Sequence, residues 1–311
     1  MSFSYDTKSE CARLPVHSKI EALLELSAMA RLNAAMVINR DGHHLRFFSE
    51  HPEVISCVAN LSRFLLQTEG EIRSQQDERL QKKPVYYMDL PEKKTETLLE
   101  QSGVDLFGHA TQSREAIFGR LRVEANACAY LRGAFLAAGS VVDPEKSYHL
   151  EVVTKNAWDG EILEHVFRTL SLPAKQTKRG AFTVYYFKDS EAISDMMIAM
   201  GASASMLALE NVKIKKELKN EINRKSNAET ANLDKQYQAA LEQIRAIHCI
   251  DEKRGLESLS ESLRAVAQAR LEHPMANLRQ LGEQLNPPLS KSGVMHRMRR
   301  LLEEASMLEE K

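Results

Sequence analysis

The chain has 311 residues, 43% hydrophobic and 27% charged, with a net charge of −1, an ordinary globular balance at a length that suits about two domains. No apolar run reaches about 18 residues and the polar start, Met1–Glu10, has no signal pattern, so no membrane contact is expected and a cytoplasmic location is the default. Cys11, Cys57, Cys128 and Cys249 are scattered and form no C-x-x-C pair, which argues against a disulfide framework and a cysteine-held metal.

In chain order, Lys19–Ala34 has apolar residues at helical spacing. Met36–Ile38 and Leu45–Phe48 flank Asp41-Gly42 and read as a hairpin. Pro52–Leu66 is an amphipathic helix, with Val54, Ile55, Val58, Leu61, Leu65 and Leu66 on one stripe. Val85–Leu90 is strand-like, and Pro91–Gln101 is a helix that stops before Gly103.

The order then recurs. Ala125–Ala138 is a helix; Ser140–Val142 and Tyr148–Thr154 flank a turn at residues 143–146; Ala157–Leu170 is helical; Phe182–Phe187 is a strand; Asp189 caps a last helix. This is an internal duplication with a period of about 105 residues, Leu26 to Leu131. The expected fold is α+β: two repeats, about 1–105 and 106–210, each an antiparallel sheet under helices.

From Ser203 the pattern is purely helical. Residues 211–228 read as a basic helical linker, with a polar joint over Ser226–Leu233, and 229–311 as an all-α domain. Lys235–Ile250, Leu259–Leu271, Leu278–Leu285 and Ser290–Ala305 are its helices, and the tail from Ser306 is expected to fray. Charge divides along the chain. Residues 1–210 hold 24 Lys/Arg and 28 Asp/Glu, whereas 211–311 hold 18 and 15, so the C-terminal part is the better partner for a polyanion.

Within 276–302, Leu278, Leu281 and Leu285 share a helix face, Gly282 sits where the next helix must come close, and Asn286-Pro287-Pro288 ends the first helix. Ser290 or Ser292 can cap the second, whose Val294, Met298 and Leu301 point inward. Lys291, His296, Arg297, Arg299 and Arg300 remain outside, as in a helix-turn-helix reader of double-stranded DNA. Lys291, Ser292, His296 and Arg297 are expected nearest the base edges. Arg299 and Arg300 are expected on phosphates, with Lys291 as a further candidate there and Ser290 at the helix start beside them. The linking segment is longer and richer in proline than the turn of about three to four residues usual for this motif.

Several long strings carry a resemblance: AYLRGAFLAAGS at 129–140, DPEKSYHLEVVTKN at 143–156, NAETANLDK at 227–235, RLEHP at 270–274 and LSKSGV at 289–294, followed by His296-Arg297. On these the chain resembles the sporulation and cell-division transcription regulator family WhiA over nearly its whole length. The resemblance implies a front module like a LAGLIDADG homing endonuclease and a C-terminal helix-turn-helix of the sigma-factor region 4 type. It also implies promoters of cell-division, chromosome-segregation and sporulation genes as targets, a nucleoid-associated protein, and RNA polymerase or another transcription regulator as a further partner.

The motif helices would be residues 26–34 and 131–139. Their metal-holding eighth positions are Asn33 and Ala138, a poor ligand and none. A hard cation wants carboxylate oxygens. The front module is therefore expected to be a scaffold without nuclease activity, and no metal or other cofactor is expected. An active nuclease and a pure protein-interaction scaffold are the rival readings.

Other constellations are weaker. His43 and His44 beside Asp41 suggest a metal or acid–base pair, but they lie in a hairpin turn with no further ligand in reach. Asp143, Ser147 and His149 lack a nucleophile elbow. Met196, Met197 and Met200 are expected to pack a helix on the core, and one of Tyr185 and Tyr186 is expected to be buried.

Overall fold

The computed structural model describes residues 2–39, 42–76, 84–104 and 111–309. They form two compact units, 1–216 and 217–311.

The first unit repeats one plan twice. Helix α2 (Lys19–Asn33) leads into β1 (Ala34–Asn39) and β2 (Gly42–Ser49), α3 (Pro52–Leu66), β3 (Ile72–Gln75), β4 (Val85–Leu90) and α4 (Glu92–Ser102). Helix α6 (Glu124–Ala138) leads through β5 (Gly139–Val141), β6 (Leu150–Thr154), α7 (Ala157–Thr169), β7 (Lys175–Arg179) and β8 (Phe182–Phe187) to α8 (Ser190–Met200) in the same order. The sheets run β1-β2-β4-β3 and β5-β6-β8-β7, antiparallel throughout. Alternation along each strand puts Leu45, Phe47, Met88 and Leu90, and equally Leu150, Val152, Tyr185 and Phe187, in one core beneath the helices. Tyr185 is the buried tyrosine of its pair, and the three methionines of α8 are fully enclosed.

Helices α2 and α6 pack side by side at the centre. A β-carbon at Gly133 would overlap the carbonyl oxygen of Glu25, so glycine is what lets the two backbones close. Charges are sunk into the helix packing around this seam. Arg132 donates from Nε and Nη2 to Glu25 Oε2 at 3.0 and 2.8 Å, and Arg31 reaches Asp159 of α7 at 2.7 Å. Burial pushes the Glu25 carboxyl up, and the Arg132 guanidinium pulls it partly back.

Several features depart from the sequence reading. Helix α1 (Phe3–Ala12) was not expected; it buries Thr7, Lys8, Ser9 and Cys11, a face too polar to read as amphipathic. Helix α5 (Arg114–Leu121) was also not anticipated. The edge strands β3 and β7 are exposed along their whole length and carry no apolar alternation. His43 and His44 stand in β2 rather than in its turn, half-buried, and Asp41 lies outside the described residues.

Helix α9 (Ser203–Arg254) is continuous, so the polar joint at Ser226–Leu233 is not a break. That stretch contains neither Gly nor Pro; its polarity reflects exposure, which a helix tolerates. Its start is capped from a distance: the Glu10 carboxylate accepts from the Ala204 and Ser205 amides at 2.6 and 2.9 Å.

The second unit packs the end of α9 with α10 (Glu261–Glu272), α11 (Leu278–Gln284) and α12 (Lys291–Glu309) around Ile247, Ile250, Leu263, Val266, Leu281, Val294, Met298 and Leu301. Helix α12 continues to Glu309, so the tail expected to fray is helical that far, with Ala305 and Leu308 packed on the core.

Candidate nucleic-acid interface

Helices α11 and α12 and the turn between them form the helix-turn-helix pair. Asn277 caps α11 in a reciprocal capping box: its side chain accepts from the Gln280 amide at 3.0 Å, while Gln280 Oε1 accepts from the Asn277 amide at 2.9 Å. Leu281 and Leu285 face inward. Gly282 lies so close to the chain entering α12 that a β-carbon there would overlap the carbonyl of Leu289, and the Leu289 amide donates to Gly282 O at 2.9 Å. The close approach expected at Gly282 is thus made to the backbone ahead of the helix. Ser290 starts α12: its Oγ accepts from the Gly293 amide at 3.2 Å, and its carbonyl accepts from Val294 at 3.0 Å. Ser292 instead bonds Ser290 Oγ at 3.0 Å.

The inward stripe of α12 is Val294, Met298, Leu301 and Ala305. Lys291, Ser292, His296, Arg299 and Arg300 are exposed, and Arg297 is half-buried on the flank of the ridge. Among the described residues none of these five basic side chains has an ion-pair partner. Three other arginines of the unit are matched: Arg254 pairs with Glu304, Arg264 with Glu257, and Arg279 with Glu283. Lys291, in the first turn, is unfavourable for the protein alone, because the helix dipole already makes that end positive, an effect of about 0.3–1 kcal/mol. A polyanion reverses the sign of that interaction.

One residue that sequence reasoning left without a role holds the pair in place. Arg270, 2% exposed, ends α10 and donates from Nη1 to the carbonyls of Pro274 and Ala276 at 3.2 and 2.6 Å. Burial lowers its pKa from the usual guanidinium value. The bonds fix the bend between α10 and α11. Arg270 also lines a cleft of about 930 Å³ with Gln243, Tyr237, Asn277 and Lys291.

In the first unit, Asn33 and Ala138 are the last residues of the paired helices α2 and α6. Asn33 donates to the carbonyl of Phe48 at 3.3 Å. His149 bonds Glu151 at 3.1 Å, away from any serine nucleophile arrangement. His43 meets Glu92 and Glu96 of α4, two carboxylates that the sequence reading did not connect with it. No helix among the described residues is long and apolar enough to cross a membrane.

Three family descriptions match in chain order: the WhiA N-terminal LAGLIDADG-like domain over residues 19–105, the WhiA LAGLIDADG-like domain over 127–219, and the WhiA C-terminal HTH domain over 222–305. A protein of Desulfitobacterium hafniense named probable cell division protein WhiA is 36% identical over 310 residues, covering 100% of this chain and 97% of its own length. Its namesake in Clostridium botulinum is 36% identical over 304 residues, covering 97% and 96%. The crystal structure of full-length WhiA from Thermotoga maritima has the same fold over 99% of both chains, with a TM-score of 0.61 at 23% identity.

Proposed function

The chain belongs to the WhiA family, and on that premise we propose that it is a sequence-specific, DNA-binding transcription regulator that reads duplex DNA with α12 and has no nuclease activity. The observation that carries this reading is the basic ridge of α12, exposed and without ion-pair partners among the described residues. Lys291, Ser292, His296 and Arg297 meet base edges, Arg299 and Arg300 meet phosphates, and Ser290 sets the helix start. Arg297, half-buried, suits base reading, since a side chain with less freedom to lose forks onto a guanine at lower cost. The fully exposed Arg299 and Arg300 suit contacts that need charge more than geometry.

The regulated genes are those of cell division, chromosome segregation and sporulation, and the protein works in the cytoplasm on the nucleoid, with RNA polymerase or another regulator as a further partner. Asn33 and Ala138 support the absence of cleavage, because neither brings a carboxylate to the ends of the paired helices.

Genome-wide mapping of bound sites supplies a cognate duplex for the test. Arg297→Ala then loses about 1–3 kcal/mol on the cognate site and much less on random sequence. Arg299→Ala weakens both alike and lowers the salt slope by about one. Equal losses on both duplexes for both variants would overturn the assignment. Nicking of supercoiled plasmid in Mg²⁺ or Mn²⁺ that follows the pure protein would overturn the non-nuclease reading.

A further inference from the structure

The histidine pair of β2 is chemistry that DNA reading leaves unused. The sequence offered no further ligand near it; the fold supplies two. Thr95 Oγ1 accepts from the Leu45 amide at 3.1 Å and donates to the Leu90 carbonyl at 2.7 Å, which pins the first turn of α4 against β2. Glu92 and Glu96, one helical turn apart, then fall beside the imidazole of His43. Glu92 Oε1 is 2.8 Å from Nδ1, and Glu96 Oε1 is 3.6 Å from Nε2. One ligand atom from each of the three residues lies within 4.8 Å of the others. Gly42, with φ of +120°, lets the chain pass; a β-carbon there would sit 2.9 Å from Glu92 Oε2.

Neither glutamate has a Lys or Arg partner among the described residues. Three neighbouring cations are engaged elsewhere: Arg46 with Asp89, Arg73 with Glu71, and Lys94 with the Leu66 carbonyl. The two carboxylates are 48% and 58% exposed, free to swing by an ångström or so. Ligand atoms around a tetrahedral ion with bonds of about 2.0–2.1 Å stand roughly 3.4 Å apart, so the ion takes one ring nitrogen and the carboxylate now facing the other nitrogen has to swing round to it. One imidazole nitrogen with two carboxylate oxygens is a donor set for zinc and its neighbours in the first transition row, more than for Mg²⁺, which prefers oxygen and keeps its waters.

We propose that His43, Glu92 and Glu96 bind one divalent transition-metal ion, with water completing the coordination on the open side. The competing account of the same geometry is a protonated imidazole paired with two carboxylates, which takes up no metal.

The test uses the full chain without a histidine tag, stripped with chelator and titrated calorimetrically with Zn²⁺ alone. The expected result is saturable uptake of one equivalent that millimolar Mg²⁺ does not displace. Uptake at this site is lost in His43→Ala and at least tenfold weaker in Glu96→Gln. Should His43→Ala not fold, Glu96→Gln decides alone, since that side chain is largely exposed. Absence of saturable uptake up to millimolar Zn²⁺, or uptake unchanged in Glu96→Gln, overturns the site and leaves the ion pair.

Discussion

The two units use charge in opposite ways. Around α2 and α6, ionic side chains are enclosed and matched inside the chain: Glu25 with Arg132, and Arg31 with Asp159, with side-chain exposures of 14% or less. On α12, basic side chains stand in solvent and no acidic group among the described residues answers them. Enclosed pairs cost desolvation and return little net stability, but they dictate which helices meet and in what register. Exposed unmatched charge does little for the fold and is open to a partner outside the chain. Charge counts by segment do not separate the two uses, because a matched and an unmatched arginine weigh the same.

The largest effect that could break this contrast is at the seam. Arg132→Ala leaves the Glu25 carboxylate enclosed without its guanidinium, and the loss expected is about 3–5 kcal/mol. Denaturant unfolding of the full chain measures it. A loss under about 1 kcal/mol would mean that water reaches Glu25 and that the seam is not the closed environment its burial implies. The double variant Glu25→Leu with Arg132→Met sharpens the point, because replacing both charges by apolar groups is expected to recover most of the loss.

That seam was only half legible in the sequence. The duplicated order of helix and strand emerged from periods and turn residues alone, while nothing in them paired Glu25 with Arg132. Asp189 and Gly103 marked helix ends correctly, as cap chemistry allows. What stayed hidden has physical causes. Edge strands β3 and β7 bury nothing, so no alternation betrays them. Helix α1 buries polar groups. The stretch Ser226–Leu233 is polar because it is exposed, and exposure leaves no mark of helix or joint. The α12 ridge was readable because its inward residues recur at i, i+4 and i+7. Arg270 and the Glu92/Glu96 pair were not, because their roles depend on carbonyls and a histidine that only the folded chain brings near.

Lys8 tests the enclosed side of the contrast by titration. Its amine donates to the Leu136 carbonyl at 3.1 Å, and burial lowers its pKa from 10.5 to about 8, against the opposing influence of Cys11 and Glu50. Below pH 8 both folded and unfolded chains carry the proton, and the full penalty of an enclosed cation is present. Between about pH 8 and 10.5 the unfolded chain binds more protons, so stability rises with pH, by about 1.4 kcal/mol per unit and about 3 kcal/mol in all. Measured against Lys8→Met, the wild-type chain gains that amount across the window. A constant difference between the two from pH 7 to 10 would show that Lys8 is solvated after all.

The smallest expected effect on stability carries the most information about α12. Arg299→Ala with Arg300→Ala removes two exposed charges that make no bond among the described residues, and the stability change expected is within about 0.5 kcal/mol. A small gain is the favoured sign, because Arg297 remains nearby and like charges within about a turn of one another repel. The same double variant is expected to weaken duplex binding sharply and to lower the salt slope by about two. A stability loss above about 1 kcal/mol would make these arginines part of the fold, matched through contacts within the protein, and the ridge would cease to differ from the seam. Near-zero cost to folding together with a large cost to DNA affinity is the signature of charge held in place for a partner outside the chain.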